Sequence, residues 1–246
     1  MNTSFALVVY SGGKPLGFEE LFTPRGFAVD SVASHKIEFT SQTFPLGGKV
    51  DRLLFTSRNA VEAFHHAGLD MYQNARVHAV GEATRETLRR FGQRGEIPEI
   101  ASAEGLLQNL PDRLDGDFIF WPHGEDADLS LADELRRRGA DVYAPSIYRK
   151  LALRCPAGLP LDIQDRKYAA FSCTSGAAAR WLYKHLEPDQ ISVLNSIPAA
   201  VLGDRTEAVL RQLGAARISR SPEASFSSLA STLLTLLEEL TQRSKT

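Results

Sequence analysis

Two glycine turns, each followed by a threonine, and two Thr-Ser pairs are the residues of this chain best suited to chemistry. Gly81-Glu82-Ala83-Thr84 and Gly203-Asp204-Arg205-Thr206 each follow an apolar run, residues 77–80 and 199–202. Thr56-Ser57 and Thr174-Ser175 each close another, residues 53–55 and 171–173. An apolar run ending in such a turn reads as a strand handing over to a helix. A helix N-terminus presents unpaired N–H groups and a partial positive charge. It therefore suits a carboxylate or a phosphate. Thr84 and Thr206 fall in the first helical turn, where a hydroxyl can bind the same anion. For Ser57, Thr84, Ser175 and Thr206 taken singly, simple helix capping is an equal alternative. Four equivalent positions, two per half, favour a ligand for the set. Arg58, Arg85 and Arg205 adjoin these turns, either as cations for that anion or as solvated surface charges.

The elements that must hold these turns repeat. The first glycine turn is followed by Leu88-Arg89 and Gly92, the second by Leu210-Arg211 and Gly214, at the same offsets. Ala60 and Ala178 follow the two Thr-Ser pairs at the same distance. Further on, Ser102-Ala103-Glu104 and Ser221-Pro222-Glu223 each precede a leucine-rich run. Three matched features in the same order imply an internal duplication and two similar lobes. A cleft lined by two equivalent sets of loops would take a large, roughly symmetric ligand. Strands are expected at 5–10, 27–32, 53–56, 77–80, 118–121, 142–144, 168–173 and 199–202, with weaker ones near 97–100 and 216–218. Helices are expected at 58–67, 82–91, 104–110, 129–138, 176–185, 204–213 and 226–240. This alternation predicts an α/β fold of parallel sheets flanked by helices, with ligands beyond the carboxyl ends of the strands. Gly92, Gly139 and Gly214 stand where C-terminal caps belong. Residues 41–48 are turn-rich, and Pro156, Gly158 and Pro160 mark an irregular stretch.

Composition narrows the function classes. The chain has 246 residues and a net charge of −2, so no basic field favours nucleic acid. No apolar run approaches the roughly 20 residues that span a bilayer. The N-terminus reads as a strand rather than a secretion signal, and two cysteines make no disulfide framework; a cytoplasmic location is expected. Nothing demands more than a monomer: the apolar positions Leu229, Leu233, Leu236, Leu237 and Leu240 suffice for one packed helix face. No dinucleotide fingerprint or phosphate loop is present; Gly12-Gly13-Lys14 lacks the required frame. His65 and His66 are adjacent and point to different helix faces, and the other histidines lack ligand spacing. Cys173 lies in an apolar strand and reads as core.

The ordered motifs Phe55-Thr56-Ser57-Arg58-Asn59-Ala60-Val61, Val80-Gly81-Glu82-Ala83-Thr84, Phe120-Trp121-Pro122-His123-Gly124, Val142 to Arg149, Cys173-Thr174-Ser175 and Leu202-Gly203-Asp204-Arg205-Thr206 span nearly the whole chain. In this pattern the sequence resembles the uroporphyrinogen-III synthase family. The resemblance implies two similar α/β lobes, each a parallel sheet flanked by helices, joined by a two-stranded connector. Residues 1–33 with 153–246 would form one lobe, 40–145 the other, and 34–39 and 146–152 the connector strands. It implies a cytoplasmic lyase of tetrapyrrole and haem synthesis, with no cofactor and no metal. The substrate would be hydroxymethylbilane, and transient contact with the upstream bilane-forming enzyme is part of the same expectation. Loss of the terminal hydroxyl gives an azafulvene; attack by the last pyrrole gives a spiro intermediate; fragmentation and re-closure invert that ring. Positioning would dominate over covalent catalysis, because the linear substrate also closes unaided to the symmetric isomer.

The implied substrate-binding residues are Thr56, Ser57, Arg58, Gly81, Thr84, His123, Gly124, Thr174, Ser175, Gly203 and Thr206. Tyr148 takes the family's tyrosine position and is the candidate proton donor to the departing hydroxyl; packing as an ordinary hinge residue is its alternative. Arg149 and Lys150 add charge beside it. The chain departs from the pattern at Tyr10-Ser11-Gly12-Gly13, which lacks an arginine, and at Glu125-Asp126-Ala127-Asp128, whose carboxylates would repel a substrate carboxylate unless they face solvent. The rival reading is a non-catalytic two-lobed binding protein or an inactive homologue. A receiver-like module would need an acidic cluster at strand ends, which neither lobe shows.

Overall fold

The computed structural model describes residues 4–12, 18–40, 49–68, 74–223 and 225–243; the turn-rich stretch 41–48 lies outside them. In chain order the elements are β1 (Ser4–Ser11), α1 (Phe18–Phe22), a 3-10 turn (Thr23–Arg25), β2 (Phe27–Phe39), β3 (Arg52–Phe55), α2 (Arg58–His66), β4 (Arg76–Ala79), α3 (Glu82–Arg90), α4 (Ala103–Gln108), β5 (Phe118–Phe120) and β6 (His123–Gly124). There follow α5 (Ser130–Arg137), β7 (Asp141–Tyr143), β8 (Ser146–Ala152), α6 (Leu159–Gln164), β9 (Tyr168–Cys173), α7 (Gly176–Lys184), α8 (Pro188–Ser196), β10 (Ala199–Val201), α9 (Asp204–Gln212), β11 (Ile218–Arg220) and α10 (Phe226–Arg243). The chain divides into two compact units, Met1–Lys36 with Leu151–Thr246, and Ile37–Lys150. β2 and β8 are the strands that carry the chain from one unit to the other.

Unit 1 arranges its strands in the order β11-β10-β9-β1-β2. β1 runs parallel to β2 and to β9, as β10 does to β9 and β11. Both faces of this sheet are covered, which is why its central strands are apolar without alternation. Leu7, Val9, Phe171 and Cys173 pack under α6, α7 and α8 with Trp181, Leu182 and Leu194. Ala6, Val8, Ala170 and Ala200 point the other way, toward Leu229, Leu233 and Leu237 of α10 and Phe18 and Phe22 of α1.

Unit 2 repeats the plan with four parallel strands in the order β4-β3-β5-β7. Leu53, Phe55 and Phe120 meet Ala60, Val61 and Phe64 of α2 on one face; Leu54, Ile119 and Trp121 meet Leu131 and Leu135 of α5 on the other. β6 pairs with β8 within this unit. β3–α2–β4–α3 thus corresponds to β9–α7–β10–α9, with α8 as an addition in unit 1.

The expected α/β class, parallel pairing and doubled strand–turn–helix units are present. Gly92, Gly139 and Gly214 take positive φ of 73°, 97° and 96° at the ends of α3, α5 and α9. Three expectations change. Residues 97–100 form no strand: only Glu96 makes a bridge, to His78, and Pro98 next to it has no N–H to offer. The strand expected near 216–218 forms two residues later. The stretch around Pro160 is not irregular throughout, because Pro160 sits in the first turn of α6, where its missing N–H costs nothing.

Candidate active site

At the end of β3 the chain turns outward at Ser57, whose backbone is extended (φ −158°, ψ 154°) and whose Oγ accepts the Ala60 N–H at 3.1 Å. Ser175 at the end of β9 does the same for α7, with φ −159°, ψ 160° and the Ala178 N–H at 3.1 Å. These two serines cap their helices, so the alternative reading describes their bonding. The threonines before them are braces. Thr56 Oγ1 accepts the Trp121 indole N–H at 3.1 Å, and Thr174 Oγ1 accepts the Ser11 N–H at 3.3 Å. Arg58 is exposed on the first turn of α2.

The glycine turns behave differently. Gly81 and Gly203 are the N-caps of α3 and α9, and no side chain caps either helix. The Thr84 and Thr206 N–H groups turn back onto the Gly81 and Gly203 carbonyls at 3.1 Å, so the N–H groups of residues 82 and 83, and of 204 and 205, are those left for solvent or a ligand. Both glycines are extended, which any residue tolerates, so the absence of a side chain is what matters. At Gly81 a Cβ would also come within 3.0 Å of the Ala101 Cβ; at Gly203 it would meet nothing. Three residues on, Thr84 and Thr206 are 4% and 6% exposed. Among the described residues neither hydroxyl has a hydrogen-bond partner. Neither hydroxyl is sealed off from solvent, so a ligand arriving at the turn can supply the missing partner. Arg85 is drawn to Glu82, and Arg220 to Asp204, so the acids on these first turns are neutralised from within.

Tyr148 on β8 is only 4% exposed, and its hydroxyl lies 2.9 Å from Ser57 Oγ. Its ring occupies the space above Gly124, where a Cβ would fall 2.7–2.9 Å from its outer atoms. His123 is 7% exposed; its Nδ1 faces the Gly124 carbonyl at 2.7 Å and its Nε2 the Ala144 carbonyl at 3.0 Å. Ser57, Tyr148, Gly124 and His123 are therefore one connected group, anchored on backbone. In unit 2 the Gly81–Thr84 turn follows the neighbouring strand, where the Val80 N–H binds the Phe55 carbonyl. In unit 1 the Thr174-Ser175 and Gly203–Thr206 turns likewise follow adjacent strands.

Several charges are settled locally. Arg149 pairs with Glu38 at 2.6 Å and Lys150 with Asp126 at 2.8 Å. Asp128 caps the Ser130 N–H at 2.9 Å. Glu125, Asp126 and Asp128 are all exposed, so the acidic loop faces solvent. Burial pushes the Cys173 thiol up to about 12, which makes it core and no nucleophile at neutral pH. Among the described residues no group of ligands could hold a metal ion, and no helix is long and apolar enough to cross a membrane. Sequence reasoning gave Trp121 no role; the signal was available, because a buried indole N–H needs an acceptor.

Fold and site define a duplicated α/β protein whose two units each offer one serine-capped and one open helix N-terminus at strand ends. The model of the family described as uroporphyrinogen-III synthase HemD matches residues 17–231, and the chain belongs to that family. Its members are enzymes of tetrapyrrole synthesis that cyclise hydroxymethylbilane. A mutant uroporphyrinogen III synthase from the extremely thermophilic bacterium Thermus thermophilus shares the fold, with 19% identity, TM-score 0.63, and 96% of this chain and 99% of that chain covered. The uroporphyrinogen-III synthetase of Helicobacter pylori shares it at 17% identity, TM-score 0.61, and 94% and 99% coverage. No curated protein sequence matches the chain.

Proposed function

We propose that this chain closes hydroxymethylbilane to uroporphyrinogen III as a lyase, using the open helix N-termini to hold substrate carboxylates. The observation that carries this assignment of residues is the contrast within each unit. Ser57 and Ser175 satisfy their helices, whereas Gly81 and Gly203 leave theirs without a side-chain cap beside Thr84 and Thr206, whose hydroxyls have no partner among the described residues. Each open turn receives one carboxylate through backbone N–H groups and the threonine hydroxyl. Arg58 adds positive charge at the start of α2. Thr56, His123 and Gly124 in unit 2, and Thr174 in unit 1, shape the surfaces their own units offer to the pyrroles. The Tyr148 phenol, with Ser57 Oγ 2.9 Å away, belongs to the hydroxyl pair that supplies the proton for the departing hydroxyl. The catalytic gain lies in fixing the last pyrrole in the geometry that attacks through its substituted carbon.

The protein is read as a cytoplasmic monomer, consistent with two free cysteines and a balanced charge. The lability of the bilane makes brief contact with the enzyme that forms it part of the same reading. The test is product analysis. The protein is incubated with enzymatically made hydroxymethylbilane, the product is oxidised, and isomers I and III are resolved. Isomer III is expected; isomer I alone would leave a binding protein or an inactive homologue.

A further inference from the structure

We infer that Ser57, rather than Tyr148, is the group that hands the proton to the departing hydroxyl, and that Tyr148 acts behind it as the second member of a two-hydroxyl relay. This rests on the proposed cyclisation and assigns its acid step. Ser57 is half-buried, whereas Tyr148 is 4% exposed. Ser57 Oγ has two lone pairs and one proton. One lone pair accepts the Ala60 N–H at 3.1 Å, and the Tyr148 hydroxyl stands 2.9 Å away. If Ser57 donated to Tyr148, the phenolic proton would be left buried without an acceptor, a costly arrangement. Donation from Tyr148 to Ser57 satisfies the phenol and leaves the serine proton on the side open to solvent.

The molecule contains its own controls. Ser102 and Ser175 cap α4 and α7 through the same contact, at 3.0 and 3.1 Å, and neither is bonded to a tyrosine. Capping therefore does not require the phenol. Gly124 supplies the second sign, since any side chain there would displace the Tyr148 ring tip. The third is position. The pair sits at the N-terminus of α2, whose partial positive charge stabilises the phenolate that the relay creates.

The step balances without a co-reactant. The serine proton passes to the substrate hydroxyl as the C–O bond breaks, water leaves, and the pyrrole nitrogen supplies the electrons that form the azafulvene cation. The Tyr148 proton moves to Ser57. When the last ring closes, the proton lost from the terminal α-carbon returns through Ser57 to the phenolate.

The experiment measures the initial rate of isomer III formation for S57N, S57T, Y148F, S57N/Y148F and S102N. Asparagine keeps the helix cap but has no hydroxyl proton to pass on. Expected for S57N is a fall in kcat of about tenfold, the low end for general acid catalysis because the leaving group is labile, with KM within about twofold of wild type. Y148F, which leaves the cap intact, falls equally, and the double variant falls no further. S57T restores the rate, and S102N, a matched cap change, leaves it unchanged. Wild-type kcat in S57N beside an impaired Y148F, or effects that multiply in the double variant, would overturn the relay. Formation of isomer I alone by the wild type would instead overturn the underlying assignment.

Discussion

Replacing Gly124 with alanine probes the packing on which Tyr148 depends. The added Cβ would lie 2.7 Å from Cζ, 2.8 Å from Cε2 and 2.9 Å from the hydroxyl oxygen of Tyr148. Carbon atoms in good contact sit about 3.5–4.0 Å apart, so the ring tip must retreat by close to 1 Å. Gly124 lies outside the positive-φ glycines, so alanine brings no backbone strain of its own. The ring is 4% exposed and packs with Phe55, Val61 and Phe64, which leaves it little room. Overpacking of this kind costs about 1–3 kcal/mol, and loss of the Ser57 bond adds about 0.5–1.5 kcal/mol. G124A should therefore destabilise unit 2 by about 1.5–4.5 kcal/mol. The assay is urea unfolding followed by fluorescence in a W181F background, where Trp121 reports on unit 2 alone. Removing the ring tip with Y148L should reduce the cost of G124A to below about 1 kcal/mol. An unchanged unfolding midpoint in G124A, or an undiminished cost in the Y148L background, would refute the reasoning.

T84V and T206V preserve shape while removing a hydroxyl that has no partner among the described residues. Each should raise KM about tenfold or more without loss of thermal stability, since a hydrogen bond to a charged group contributes about 1.5–3 kcal/mol; unchanged KM in both would remove these threonines from the site. Burial, opposed by Glu96 and aided by Arg52 and Arg76, holds His78 below the ordinary histidine value of 6.5. The unfolded chain therefore binds the extra proton first, so stability is fully present above about pH 6.5 and declines as pH falls toward the lower folded value. The unfolding midpoint should drop between pH 7.5 and 5.5, and H78Q should flatten that slope; an equal slope in H78Q contradicts the assignment. Cys173 should resist a thiol reagent in the folded protein and react after denaturation, while half-exposed Cys155 reacts in both states. Modification of Cys173 under native conditions would show that β9 opens.

Local signals made the glycine turns readable. Ser57 and Ser175 differ from Gly81 and Gly203 in whether the N-cap has an oxygen to offer, and that difference is written in residue type. Of the three helices that escaped notice, α1 is only five residues long, and α6 and α8 carry a proline in the first turn. α8 opens at Pro188 with Glu187 and Gln190 bonding reciprocally across its first turn, a start signal hidden among residues that otherwise read as breakers. α6 is similar at Pro160, and β6, only two residues long, has no periodicity to detect. The Tyr148–Ser57 bond joins residues 91 positions apart, and no spacing rule reaches that far. The same is true of His123, whose two ring nitrogens face the Gly124 and Ala144 carbonyls; its type suggested ligand contact, and only tertiary structure reveals the bracing.

The order of the chain has a consequence for synthesis. Unit 2 is one uninterrupted stretch, Ile37–Lys150, whereas β1 lies between β2 and β9, and β9 begins only at Tyr168. On the ribosome the middle of the polypeptide can finish folding while its leading strand waits for a neighbour still to be translated. A destabilised β9 or α7 would leave Phe5–Tyr10 as an apolar edge in the nascent chain, and chaperone demand should rise most for mutations there.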